Sequence, residues 1–328
     1  MELTNREAYF QTKHDIEKEG LDISNNEICQ ILEKANGFNS YTELTLNFDK
    51  KLAKPEYFEK LKLKLFSGEP IQYILNEAPF IDYTFYVDDR VLIPRVETEE
   101  LVIRTIDLLK FLKLEPKCIL DMCTGSGCIA IYLKSKFENS EVYASDISKD
   151  ALDVAKKNAE HFSSNIHLIQ GDKLQPFLEN GQKFDVIISN PPYVQNKEDI
   201  EEKVKNHEPM NAIYSEDGTA FYEEIFKHYK DVLNENFILA FEINYDQQDR
   251  LTKLISKYFE DNINFSFVND IYGRTRFLFI IRGYIYENLN WKRHWNLCRN
   301  FKKWWCYCFS NWDSIWLRNK SIVKGKLR

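Results

Sequence analysis

The chain of 328 residues is 44% hydrophobic and 29% charged with a formal net charge of −7, the balance of a globular protein long enough for two domains and a substantial core. No apolar run approaches the roughly 18 residues that span a bilayer, and the N-terminus lacks a signal-peptide core, so a cytoplasmic protein with no membrane partner is expected. The seven cysteines are odd in number and have no repeated ligand spacing; they read as reduced thiols, with no metal site.

From the N-terminus to about residue 85 the pattern is mainly helical, with apolar residues at helical spacing in Ile28, Ile31 and Leu32 and in Phe58, Leu61, Leu63 and Leu65. Ser67-Gly68-Glu69-Pro70 closes this segment. A β-like region is expected to begin at Ile71-Gln72-Tyr73-Ile74 and to continue through Tyr83–Val87, a hairpin joining a small helical domain (1–70) to a larger one. In the connecting stretch (71–110), Pro94 ends an extended segment, and Thr98 or the acids around it can open a helix that runs through Ile103, Ile106, Leu108 and Leu109.

From Cys118 strands and helices alternate, the signature of a doubly wound α/β sheet, here over 111–283. A short buried strand, Cys118–Met122, is followed by the loop Cys123-Thr124-Gly125-Ser126-Gly127 and a helix from Cys128. Glycines let backbone approach a ligand closely, and a helix start offers free N–H groups. After a second strand, Val142–Ser145, Asp146 is placed to accept both hydroxyls of a ribose. The loop alone fits a nicotinamide cofactor as well as S-adenosylmethionine. A third strand, Ile166–Gln170, leads to Gly171-Asp172-Lys173, with Asp172 placed to meet an adenine amino group.

The fourth strand settles the chemistry. Its apolar run, Phe184–Ser189, stops at Asn190, and Pro191 and Pro192 then remove two backbone donors and hold the chain extended. Asn190 is left at the carboxyl end of a strand, where open α/β sheets bind ligands, and side-chain and backbone carbonyls there can accept hydrogen bonds from a planar NH2 group. Tyr193 adds an aromatic face. The set suits a reaction at an amide or amino nitrogen. A strand at Phe237–Ile243 and a terminal pair, Phe265–Val268 and Arg276–Ile281, bring the total to seven, with an antiparallel end.

Asp121–Gly127 (DMCTGSG), Ser145-Asp146, Gly171-Asp172, Ser189–Tyr193 (SNPPY) and Ile93–Val102 (IPRVETEELV) together resemble the bacterial release-factor glutamine methyltransferases of the HemK/PrmC type, over roughly residues 65–283. The resemblance implies a seven-stranded, Rossmann-like class I methyltransferase sheet with a small N-terminal helical domain for substrate recognition. It implies S-adenosyl-L-methionine as methyl donor, S-adenosyl-L-homocysteine as product, and the glutamine of the Gly-Gly-Gln (GGQ) loop of class I peptide chain release factors as acceptor. Carried over by motif, Asn190, Pro191, Pro192 and Tyr193 are the catalytic residues and contact substrate with Arg95 and Glu97. Cys123, Thr124, Gly125, Ser126, Gly127, Asp146, Asp172, Lys173 and Asn190 hold the cofactor. Cys123 stands where many relatives have glycine, a change that a small thiol tolerates if the backbone there is not at positive φ.

Ribosomal-protein glutamine methyltransferases are similar too, but they typically carry a Ser-Pro type sequence where this chain has Glu97-Thr98-Glu99. A methyltransferase of adenine in nucleic acid would use the same four residues on a different nitrogen. Residues 1–283 carry 34 basic against 49 acidic side chains, which argues against direct contact with a nucleic-acid backbone.

Residues 284–328 break the pattern. They hold ten Lys or Arg against two acids, and all six tryptophans, from Trp291 to Trp316. A basic-aromatic arm for RNA or a membrane surface is one reading. So abrupt a change in composition fits better a tail that adds nothing to catalysis, such as an out-of-frame translation past a disrupted stop codon.

Overall fold

The computed structural model describes residues 3–259 and 263–283; the tail discussed above lies outside them. Met1–Gly283 pack as one compact unit.

The chain opens with helices α1 (Asn5–Glu19), α2 (Asn25–Asn36), α3 (Tyr41–Leu46), α4 (Pro55–Phe66) and α5 (Ile71–Leu75). The first two start on capping boxes, Thr4 with Glu7 and Ser24 with Glu27, and end on left-handed Gly20 and Gly37. Ile28, Ile31, Leu32, Phe58, Leu61 and Leu65 form the buried centre of this part. Leu63, expected with them, is 70% exposed: two residues from both Leu61 and Leu65, it points to the opposite side of a 3.6-residue turn. The segment 71–75 is a helix instead of the expected β-like start. Pro70 pre-sets its entry, and the Pro70 carbonyl accepts from the N–H groups of Tyr73 and Ile74 at 2.9 and 3.1 Å. Left-handed Asn76 (φ +56°) ends it.

A short hairpin, β1 (Ala78–Phe80) with β2 (Tyr83–Phe85), and helix α6 (Val96–Leu112) lead to the main sheet. Its strands are β3 (Cys118–Met122), β4 (Glu141–Asp146), β5 (His167–Gln170), β6 (Phe184–Ser189), β7 (Leu233–Glu242), β8 (Ile263–Asn269) and β9 (Thr275–Arg282). They lie in the order β5-β4-β3-β6-β7-β9-β8. The first five are parallel, while β9 inserts antiparallel between β7 and β8. Every residue of β3 is buried, as expected of a central parallel strand covered on both faces. The strand β7 begins four residues earlier than the apolar run at Phe237 suggests, because Leu233 pairs with Phe184 across a register shift.

Between the strands run α7 (Cys128–Lys136), α8 (Lys149–His161), α9 (Gln175–Asn180), α10 (Glu202–His207), α11 (Ala220–Lys227), α12 (Tyr229–Val232) and α13 (Gln248–Tyr258). Phe177, Phe184, Tyr222, Phe226, Phe237 and Phe241 are fully buried on one side of the sheet. Burial of each such side chain stabilises the fold by about 1.5–3 kcal/mol, which holds the strand ends firmly enough to carry a site.

Candidate active site

The register of the sheet gathers the sequence motifs on one edge. Met122 pairs with Ser145 of β4 and with Ser189 of β6, and Asp146 pairs with Gln170 of β5. The residues that follow these positions therefore emerge side by side at the carboxyl ends of four neighbouring strands: Cys123–Gly127, Asp146, Gly171-Asp172-Lys173 and Asn190–Tyr193. The strand order also reverses here, between β3 and β6, the switch point at which open α/β sheets bind ligands.

The glycine loop is fixed from below. Asp121, buried at the end of β3, accepts at one oxygen from the Thr124 hydroxyl (2.5 Å) and from the Ala130 N–H (3.1 Å). Its other oxygen is buried with no protein partner. Burial dominates, and it pushes the Asp121 carboxyl up to about 7. Thr124 N–H donates to the Ser145 carbonyl at 3.0 Å, and the Asn158 amide on α8 donates to the Ser126 carbonyl at 2.8 Å. Two glycines then do different things. At Gly127 (φ +81°) a Cβ would meet Ala155 Cβ at 3.1 Å, so this glycine lets α7 and α8 approach. At Gly125 (φ +54°) a Cβ would meet nothing, so bare backbone faces open space.

Cys123 lies at φ +60°, so the condition under which a thiol is easily tolerated there is not met. A non-glycine residue there carries about 1–2 kcal/mol of backbone strain that glycine would not.

Asp146 accepts from Gly125 N–H at 3.0 Å and, through its other oxygen, from Ser148 N–H at 2.9 Å. Each oxygen keeps a lone pair for a further donor. Asp172 and Lys173 lie at the outer end of the row, where Lys173 Nζ stands 3.7 Å from an exposed Asp172 carboxylate.

Asn190 is half-buried and Pro191 buried. The Asn190 Nδ2 donates to Thr98 Oγ1 at 2.9 Å, the Thr98 hydroxyl donates to Glu242 at 2.8 Å, and the Tyr193 hydroxyl donates to the other Glu242 oxygen at 2.8 Å. Thr98 does not open α6, which starts at Val96; it lies inside the first turn with its hydroxyl committed to β7. Burial dominates and leaves the Glu242 carboxyl raised above its ordinary range, although the Tyr193 and Thr98 hydroxyls and the nearby Arg276 charge pull it down. Arg276 Nη1 reaches the Tyr193 oxygen at 3.5 Å.

Glu97 lies within electrostatic reach of both Glu242 and Arg276. Arg95 is turned elsewhere: its guanidinium donates to Glu208 at 2.6 Å, and the other Glu208 oxygen accepts from Ile93 N–H at 3.1 Å. The motif reading did not single out Glu242, Arg276 or Asn158. Glu242 carries the signal used for Asn190 and Asp146, a polar residue ending a buried apolar strand. Arg276 and Asn158 have no local signal.

A seven-stranded sheet of this order, with a glycine loop and an Asn-Pro-Pro-Tyr turn at adjacent strand ends, defines an S-adenosylmethionine-dependent methyltransferase. Residues 101–240 match the family model described as methyltransferase small domain. The chain is 34% identical to the release factor glutamine methyltransferase of Bacillus anthracis over 272 residues, covering 80% of this chain and 94% of that one. It is 42% identical to that of Flavobacterium psychrophilum over 226 residues, covering 67% and 78%. Among solved structures, the release factor-specific protein-(glutamine-N5) methyltransferase of Alicyclobacillus acidocaldarius is 26% identical with a TM-score of 0.39, covering 60% of this chain and 99% of that one. The chain belongs to the release factor glutamine methyltransferase family.

Proposed function

We propose that the protein methylates the side-chain amide nitrogen of the glutamine in the Gly-Gly-Gln loop of peptide chain release factors, with Asn190–Tyr193 as the acceptor site. The observation that carries this reading is the committed amide of Asn190. One Nδ2 hydrogen goes to Thr98, which fixes the orientation of the amide and leaves its oxygen to receive a donor.

An amide nitrogen is a poor nucleophile because its electron pair is delocalised into the carbonyl. Holding it in line with the electrophile can supply several kcal/mol. Asn190 Oδ1 and the Pro191 carbonyl accept the two amide hydrogens. They also favour the positive charge that grows on nitrogen as it attacks. Tyr193, fixed through its hydroxyl to Glu242, offers a ring face to the amide plane. S-adenosylmethionine, when bound, supplies an electrophilic methyl on a sulfonium. With it bound, the methyl would pass to the amide nitrogen as the sulfur leaves with the C–S electron pair, and the N-methylated amide would give up its proton to water.

The residues present suit that cofactor. The open backbone at Gly125 admits it, Asp146 can accept its ribose hydroxyls, and Asp172 with Lys173 borders the adenine. Among the remaining contacts, Glu97 faces the substrate and Arg95 shapes the wall behind it.

The test is methyl transfer from labelled S-adenosylmethionine to purified release factor, beside a factor with the loop glutamine replaced by alanine and beside duplex DNA. Label on the wild-type factor alone is expected. Label on the alanine factor or on DNA would overturn the acceptor.

A further inference from the structure

An asparagine amide has a donor end and an acceptor end of the same shape, and only one of its two orientations serves a substrate NH2 group. Turned the wrong way, Nδ2 would face the substrate's own hydrogens while Oδ1 faced the Thr98 oxygen. The acceptor site therefore needs something that decides the orientation before substrate arrives.

We propose that Glu242, acting through Thr98, is the positioning residue that holds the Asn190 amide with its oxygen toward the acceptor nitrogen. This rests on the reading of Asn190 as the acceptor for the substrate amide. An ionised carboxylate can only accept hydrogen bonds, whereas a hydroxyl has one hydrogen to give. The two oxygens of Glu242, a residue 2% exposed, are taken by the hydroxyls of Thr98 and Tyr193, both at 2.8 Å. Once Thr98 has given its hydrogen to Glu242, it faces Asn190 as an acceptor, and Nδ2 is the end of the amide that can meet it, at 2.9 Å. The direction of each bond in the row Asn190–Thr98–Glu242 thus follows from one charge.

Three separate elements contribute: the end of β6, the first turn of α6 and the last residue of β7. Packing of α6 on β7 brings Thr98 to Glu242. Burial raises the Glu242 carboxyl overall; Arg276, next along at β9, places a positive charge beside the pair that acts against this, towards the ionised carboxylate that the arrangement requires. Tyr193 is oriented by the same carboxylate, so both polar side chains of the Asn-Pro-Pro-Tyr turn are set by Glu242.

The experiment uses the full chain and measures kcat and KM for release factor together with the Kd for S-adenosylmethionine. Thr98→Val keeps the shape and removes the hydroxyl; it is expected to lower kcat roughly 10- to 100-fold, the usual cost of losing an orienting partner, with cofactor Kd within about threefold. Thr98→Ser should restore kcat to within about threefold of wild type, because the hydroxyl is what orients. Glu242→Gln offers a donor where two acceptors are needed and should fall as Thr98→Val does. If Asn190→Ala loses turnover but a cofactor-binding Thr98→Val does not, the positioning role is overturned and the acceptor reading stands. If Asn190→Ala keeps its turnover, the acceptor reading fails and this proposal fails with it. Should the variants not fold, wild-type protein labelled with 15N-asparagine decides: nuclear Overhauser contacts from the Asn190 side-chain NH2 to the Thr98 methyl are expected, and their absence overturns the assignment.

Discussion

Arg95 and Glu208 are 113 positions apart in sequence and meet at 2.6 Å, joining the chain just before α6 to the C-terminal end of α10. The Glu208 side chain is 3% exposed and the Arg95 side chain 35%. Removing the arginine leaves a buried carboxylate with the Ile93 N–H as its remaining partner. Arg95→Ala is expected to destabilise the protein by about 1–3 kcal/mol in urea unfolding. Adding Glu208→Gln should recover part of that loss, since the stranded charge is gone; equal stability of the single and double variants would contradict the pairing.

Asn190→Ala should cost turnover far more than cofactor affinity. Loss of one preorganised polar group at a reacting centre typically lowers kcat on the order of 10²-fold. Single-turnover methyl transfer alongside equilibrium binding of S-adenosylmethionine separates the two effects. Equal losses in both would move Asn190 from the acceptor to the cofactor.

The two loop glycines should respond differently to alanine. Gly127→Ala sets a methyl 3.1 Å from Ala155 Cβ at a left-handed backbone, so it should lower the unfolding midpoint through both strain and crowding. Gly125→Ala meets no atom of the protein and should cost only the strain, about 1–2 kcal/mol. Its main effect should be weaker cofactor binding, measurable by calorimetry.

Asp121 predicts a signed pH effect on stability. Its folded carboxyl is raised to about 7 by burial, so the folded state holds a proton that the unfolded chain gives up near 3.8. The stabilisation is complete below 3.8 and is lost as pH rises towards 7. Asp121→Asn removes this term. The melting temperature of wild type minus that of the variant should therefore fall between pH 5 and pH 8, reaching its floor above about 7. A difference independent of pH would show that Asp121 does not titrate in this way.

Removal of 284–328 should leave methyl transfer within about twofold of the full chain, the scatter expected for changes away from the site. Met1–Gly283 already form a compact unit that ends with β9 paired to both β7 and β8. A loss of folding or of release-factor methylation in the truncated protein would assign the tail a role.

Local chemistry made much of this protein legible in its sequence. Buried β-branched runs that end in polar residues read as strands with functional ends, which marks Asn190 and Asp146; glycines mark the loop after β3, and helical spacing of apolar residues marks the N-terminal helices. Short elements were harder. Ile71–Leu75 has the composition of a strand, but Pro70 and the packing of Ile74 into the helical core decide for a helix. Cys123 accepts a left-handed backbone because the Ser189 hydroxyl bonds the preceding carbonyl and Thr124 N–H is tied to Ser145. The motifs, then, belong to the sequence, since each is a run of neighbours whose own chemistry dictates a strand end, a tight loop or a turn. Their relation belongs to the tertiary structure: Thr98, Asn190, Glu242 and Arg276 come from four segments, and only the parallel register, the helix packed on β7 and the antiparallel insertion of β9 bring one carboxylate within reach of two hydroxyls. Hydrogen bonds act over about 3 Å, a range that no spacing along the chain encodes.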